Sequence, residues 1–152
     1  MEEQKIREYI ELARLFGYRL TVGEGWLAGA LDTRCCCPMG AVCIVQVYGR
    51  TAWYPKAIED SRIDSTGARV RTAARALRCS EDEVRAFVDG YDAHPGTREG
   101  LQRPVAWDLG MKFRREVTTP PDPSRQDHER WLAEQHRRAR REERRAQGRA
   151  QE

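Results

Sequence analysis

The stretch Thr118-Thr-Pro-Pro-Asp-Pro-Ser124 divides this chain into two parts of different kinds. Its three prolines withhold backbone donors and stop a helix arriving from either side. Beyond it, from Arg125 to Glu152, the only apolar residues are Trp131, Leu132 and a few alanines. That segment has nothing from which to build a core, and it pulls the apolar share of the chain down to 39%. Residues 1–117 keep a normal supply of core residues and are long enough to bury them without a staple. The expected organisation is a compact helical domain over 1–117, a proline-rich hinge over 118–124 and a basic charged tail over 125–152.

Charge follows the same division. The tail holds nine Arg against six Asp and Glu, a net +3, which is also the net charge of the whole chain. Residues 1–124 are therefore balanced, and attraction to phosphate or to an acidic partner has to come mainly from the tail. Met1-Glu-Glu-Gln-Lys5 is charged and has no apolar leader, and no apolar run approaches the length of a membrane span. A cytoplasmic protein with no membrane partner is expected. The five cysteines, three of them adjacent, do not have the even, dispersed pattern of a secreted disulfide framework, so reduced thiols are expected.

Periodicity places the main elements. Ile6, Tyr9, Ile10, Ala13 and Phe16 fall on one face of a helix that begins near Glu2 and stops at Gly17. Tyr18–Val22 alternates and fits a short strand. Met39–Tyr48 is apolar throughout, so period alone does not separate strand from helix: its β-branched residues favour a strand, and Pro38 suits the first turn of a helix. Gly67–Val88 reads as two helices. Val70, Ala73, Ala74 and Leu77 line the first, and Arg78-Cys79 breaks it. Ser80-Glu-Asp-Glu83 matches a capping box that opens the second, which carries Val84, Phe87 and Val88 and ends at Gly90. Tyr91–Pro104 reads as a loop, and Pro104–Val117 as a last core helix. The fold class expected is mainly α, a small compact helical domain with one short β element at most, followed by a helical or disordered Arg-rich tail.

Three groups of residues carry candidate chemistry. Cys35, Cys36, Cys37 and Cys43 offer thiolates for zinc, an iron–sulfur cluster or redox sensing. Structural zinc sites favour C-x2-C pairs, because the loop must turn both sulfurs toward one metal. Here the spacings are adjacent and C-x5-C, and the alternative is thiols packed as small hydrophobes. The C-x5-C piece is similar to part of the WhiB iron–sulfur signature, whose C-x2-C is missing. A low thiol pKa needs a nearby cation, and Arg34 is the local candidate in sequence.

The second group is the helix pair. Ala73 or Ala74, Leu77, Ser80 and Val84 are similar to the DNA-binding helix-turn-helix pattern, which implies a reader spanning residues 68–89 with Ser80 and Arg85 at its centre. Two features depart from that pattern. Arg78 stands where glycine is usual and is expected to resist a left-handed backbone. Glu81, Asp82 and Glu83 would confront phosphates. The bland reading is a core helical hairpin.

The third group is the tail. Arg137, Arg138, Arg140, Arg141, Arg144 and Arg145 recur every three to four residues and can stripe one side of a helix against a nucleic-acid backbone. Glu142 and Glu143 interrupt them, and a solvated, self-paired segment is the alternative.

Asp89, Tyr91 and Asp92 cluster around Gly90, but paired carboxylates do acid–base work only when they converge in a pocket. No nucleophile elbow, phosphate-binding glycine loop or HExxH is present. Cys36-Cys-Pro-Met-Gly-Ala41, Leu77–Asp92 and Trp107-Asp-Leu-Gly110 together resemble small uncharacterised bacterial proteins. Those have a CCPLGA-type turn and a Ser-capped helix ending in Gly-Phe/Tyr-Asp. The resemblance implies a shared helical fold and carries no activity across. The expected function is therefore a non-enzymatic binding or regulatory protein with no cofactor, whose basic tail engages an acidic partner, protein or nucleic acid. A DNA-binding regulator and a thiol-based metal or redox protein are the alternatives.

Overall fold

The computed structural model describes residues 1–23, 34–49 and 62–119, and in the tail residues 130, 131, 133–135, 137, 138 and 141. Backbone contacts divide the chain into two units, Met1–Thr118 and Thr119–Glu152. The first is mainly helical. In chain order it contains α1 (Glu3–Leu15), β1 (Arg19–Leu20), β2 (Cys35–Cys36), α2 (Pro38–Tyr48), α3 (Thr66–Leu77), α4 (Glu81–Tyr91), α5 (Arg98–Gln102) and α6 (Pro104–Thr118). The two strands form a small parallel ladder with Arg19 opposite Cys35 and Leu20 opposite Cys36. The strand expected over Tyr18–Val22 is thus reduced to two residues. Trp26–Leu31, Trp53-Tyr-Pro55 and the prolines of the hinge lie outside the described residues.

The ambiguous run Met39–Tyr48 is a helix. Pro38 takes its first turn, and Cys37 Sγ, on an extended residue, accepts the Gly40 amide at 3.3 Å as a cap. Every residue from Pro38 to Ile44 is buried. A helix covered on all sides shows no apolar stripe, which is why its sequence lacks a helical period. It packs between α1 and α3. Ile6 and Ile10 of α1, Met39, Val42 and Ile44 of α2, and Val70 and Leu77 of α3 belong to one buried cluster. Each fully buried aliphatic side chain contributes about 1.5–3 kcal/mol relative to exposure.

The second half of this unit is built on α4 and α6. Phe87 and Phe113 meet with ring centroids 5.6 Å apart and planes at 59°, the tilted geometry that aromatic quadrupoles favour. Gly90 does not end α4, contrary to the sequence expectation; the helix runs through it to Tyr91. Its role is close approach. A Cβ on Gly90 would lie 2.0 Å from the Trp107 carbonyl oxygen, and one on Gly110 would lie 2.0 Å from the Phe87 carbonyl oxygen. The two glycines let the helix backbones touch, each from its own side.

Polar ties fix the ends. The Tyr91 hydroxyl donates to the Thr21 carbonyl at 2.8 Å, and Arg114 Nη1 donates to the Tyr91 carbonyl at 2.9 Å. Arg7 joins α1 to α6. It bonds Glu3 and Glu116, both at 2.7 Å, and its guanidinium lies 4.6 Å from the Phe113 ring centroid. The connection read as a loop holds α5, a single short helix capped by the Thr97 hydroxyl on the Gly100 amide at 3.1 Å. Five residues carry too little pattern to show as a period.

In the second unit the described residues Arg130, Trp131, Ala133, Glu134, Gln135, Arg137, Arg138 and Arg141 are helical and exposed. No helix of the described residues is long and apolar enough to cross a membrane.

Candidate functional site

The four clustered thiols are all buried. Cys35 and Cys36 sit on β2, Cys37 caps α2, and Cys43 lies one turn further along that helix, where its Sγ donates to the Arg69 carbonyl at 3.5 Å. Two opposing effects act on Cys37. The helix N-terminus and the Gly40 amide favour its thiolate, and burial disfavours it. Burial wins: the Cys37 and Cys43 thiols are each pushed up to about 12, and Cys36 is raised by burial as well. At neutral pH these are protonated thiols sealed from solvent, and poor nucleophiles. Among the described residues no group of three or more His, Cys, Asp or Glu is placed to hold a metal ion. The cation beside this cluster is Arg19, whose Nε donates to Cys35 Sγ at 3.3 Å. Arg34, the candidate in sequence, turns instead to the Phe16 carbonyl at 3.2 Å. The ladder register that places Arg19 opposite Cys35 has no local signature in the sequence.

The helix pair forms as expected, with one correction. Arg78 does adopt the left-handed conformation, at φ 52° and ψ 47°, as the C-cap of α3. The strain of placing a non-glycine residue there, about 1–2 kcal/mol, is carried by the hairpin. Ser80 is occupied as a cap: its amide donates to Glu83 Oε2 at 2.8 Å, and its hydroxyl accepts the Glu83 amide at 3.1 Å. Arg85 is paired along its own helix with Glu81 at 3.6 Å and Asp82 at 3.8 Å. Val84, Ala86, Phe87, Gly90 and Tyr91 are all buried, which leaves α4 a narrow outer side carrying those acids and Asp89. A groove-reading helix needs an open face of donors toward phosphates and base edges; the outer side of α4 offers carboxylates.

Asp89 lies in the last turn of α4. Asp92 is the C-cap of α4, and burial raises its carboxyl. The His94 amide donates to the Asp89 carbonyl at 2.8 Å, and Trp107 Nε1 donates to the His94 carbonyl at 3.2 Å. These contacts make the segment a helix terminus held against α6.

Of the tail arginines, Arg137, Arg138 and Arg141 are described, and Arg140, Arg144 and Arg145 lie outside the described residues. Arg138 pairs with Glu134 at 2.7 Å, and Arg137 Nε donates to the Ala133 carbonyl at 3.3 Å. Both interactions are exposed and, at most, marginal in energy.

A further group went unread in the sequence. Arg71, Arg75 and Arg78 are exposed on α3 and its cap. Among the described residues none of the three makes an ion pair or side-chain hydrogen bond. No Asp or Glu occurs between Ser65 and Cys79. The signal was present as a spacing of four and then three on the polar side of an amphipathic helix. No protein-family model, curated protein or solved structure matches the chain.

Proposed function

We propose that this is a non-enzymatic binding protein in which a charge-balanced helical scaffold carries a basic arm that engages an acidic partner. The observation that carries the reading is the partition of charge: the net +3 of the chain resides in residues 125–152, after the prolines. Arginine suits this role, because its planar fork bonds phosphate or carboxylate oxygens in pairs and stays charged at any physiological pH. The buried, protonated thiols and the acidic outer side of α4 favour this reading over a thiol-based site and over a groove reader. A regulatory role, with the scaffold presenting or withholding the arm, is part of the same proposal.

The test is fluorescence anisotropy of three labelled probes: single-stranded RNA, duplex DNA and a poly-glutamate peptide. Each is titrated with the full chain and with a variant in which Arg137, Arg138, Arg140, Arg141, Arg144 and Arg145 are glutamine. Binding by the native chain, weakened at least tenfold in the variant and by raised salt, supports the reading. Equal binding by the two proteins, or none by the native chain to any probe, overturns it.

A further inference from the structure

The basic tail is not the only basic surface of this chain. Arg71, Arg75 and Arg78 are separated by four and three residues. At about 100° and 1.5 Å per residue, Arg71 and Arg75 lie roughly 40° and 6 Å apart on α3, and Arg78 follows as its left-handed C-cap. They form one exposed row along α3 and its cap, distinct from the buried positions Ala68, Val70, Ala73, Ala74 and Leu77.

Most cations of this unit that the structure describes have partners, whereas Lys5 and Arg98 stand singly and only α3 carries a row without them. Arg7 is held by Glu3 and Glu116, Arg14 by Glu11, Arg85 by Glu81 and Asp82, and Lys112 by Glu3. Arg69, on α3 itself, donates to the Ile63 carbonyl at 2.8 Å. These cations are already engaged. The three arginines of the stripe are exposed, and no residue described in the structure pairs with them. Arg75 and Arg78 sit where they also offset the negative end of the helix dipole, but Arg71, in the body of the helix, has no such role.

We infer that the Arg71–Arg75–Arg78 stripe is a second binding surface, one that takes the phosphate backbone of a nucleic acid. The chemistry around it selects this class of ligand over an acidic protein. Protein interfaces anchor on buried aromatic and aliphatic side chains. Among the described residues the exposed large apolar ones are Leu12, Leu15, Leu101, Val105 and Trp131, and none is on α3. Among the described residues, α3 itself carries no acidic side chain beside these arginines. One strand of a duplex carries a phosphate for every 3.4 Å or so of its axis, and long, flexible guanidinium side chains can each reach one, so three arginines engage up to about three phosphates. Contacts of this kind fix position and carry no base preference. The helix pair then works in the reverse sense from a groove reader, with α3 rather than α4 laid against the backbone. The stripe shares only its class of ligand with the tail reading, and the two surfaces are separable by mutation.

The test uses the full chain with Arg71, Arg75 and Arg78 changed together to glutamine, and separately to lysine. These positions are exposed and both residues are good helix formers, so the fold is retained; circular dichroism and the melting temperature check this. Labelled single-stranded RNA, duplex DNA and poly-glutamate are titrated over a series of salt concentrations, in the native background and in the background of the six tail glutamines. The glutamine triple variant is expected to weaken nucleic-acid binding at least fivefold in both backgrounds. It should lower the magnitude of the log–log salt slope by about 2 on RNA and about 3 on DNA. The lysine variant should restore most of the binding, because position and charge suffice. A triple variant with native affinity and slope overturns the inference and leaves the tail reading intact. Loss in the triple variant with no effect of the tail substitutions supports the inference and overturns the tail reading. A stripe-dependent preference for poly-glutamate over both nucleic acids overturns the assignment of ligand.

Discussion

Gly90→Ala makes the sharpest demand on the fold. Taken by itself, alanine in the interior of a helix is about 1 kcal/mol better than glycine. On that ground the change should stabilise α4. The structure reverses the sign. The added methyl would stand 2.0 Å from the Trp107 carbonyl oxygen, an atom of the α6 backbone that no rotamer change can move. Relief requires α4 and α6 to separate by at least about an ångström, since Cβ contacts essentially never fall below 3.0 Å. A gap of that size forfeits a quarter to a half of the dispersion energy across the seam, including the Phe87–Phe113 pair. Overpacking of this kind costs about 1–3 kcal/mol and the seam loss adds to it, so a net destabilisation of about 2–4 kcal/mol is expected. At about 4 °C per kcal/mol the melting temperature should fall by about 8–16 °C. Thermal denaturation followed by circular dichroism, with urea titration as a second measure, reads this directly. Gly110→Ala should behave alike, because its methyl meets the Phe87 carbonyl at the same 2.0 Å. The double variant should be less harmful than the sum of the two, since one separation accommodates both methyls. A Gly90→Ala protein as stable as the native one, or more so, would refute the close crossing.

The thiols give a pH prediction. The Cys37 and Cys43 pKa values rise from 9.0 to about 12 on folding because burial disfavours the thiolate. The folded state therefore holds protons that the unfolded state gives up. Stability should be unaffected by these groups below about pH 8.5, and from pH 9 toward 12 it should fall by up to about 1.4 kcal/mol per pH unit for each thiol. Urea midpoints against pH measure this; a flat alkaline limb, or rapid labelling of Cys36, Cys37 and Cys43 in the native protein at pH 7, would contradict it. Arg78→Gly should stabilise the hairpin by about 1 kcal/mol by relieving its left-handed backbone, and a loss of stability would show that the arginine side chain supports the turn. Ser80→Ala should cost about 1 kcal/mol through loss of the cap on α4, read by the same denaturation, and a silent substitution would argue against the capping box.

How much of this was legible in the sequence depended on the kind of signal. The helices α1, α3, α4 and α6 each bury one face, so the positions of Ile6 and Ile10, Val70 and Leu77, Val84 and Phe87, and Phe113 marked them. The capping box at Ser80 was legible because it is local. The buried helix α2 was not, because a segment covered all round loses the alternation that distinguishes helix from strand; only Pro38 pointed the right way. Gly90 was misread as a helix stop because a glycine that ends a helix and one that admits a neighbouring backbone look identical until Gly110 is seen across from it. Arg19 and Cys35 meet through a strand register, which no local pattern encodes. The α3 stripe was visible but passed over, since polar positions on an amphipathic helix are ordinarily solvent-facing. Arg71, Arg75 and Arg78 stand apart because they share one element and no described residue pairs with any of them.

The most direct measurement is the salt dependence of single-stranded RNA binding by the full chain. If the six tail arginines and the three of α3 lie on phosphates, the logarithm of the affinity should fall against the logarithm of salt with a slope of about −6, from roughly 0.7 per neutralised phosphate. A slope near zero, or no binding at low salt, would contradict the reading of both surfaces as phosphate sites.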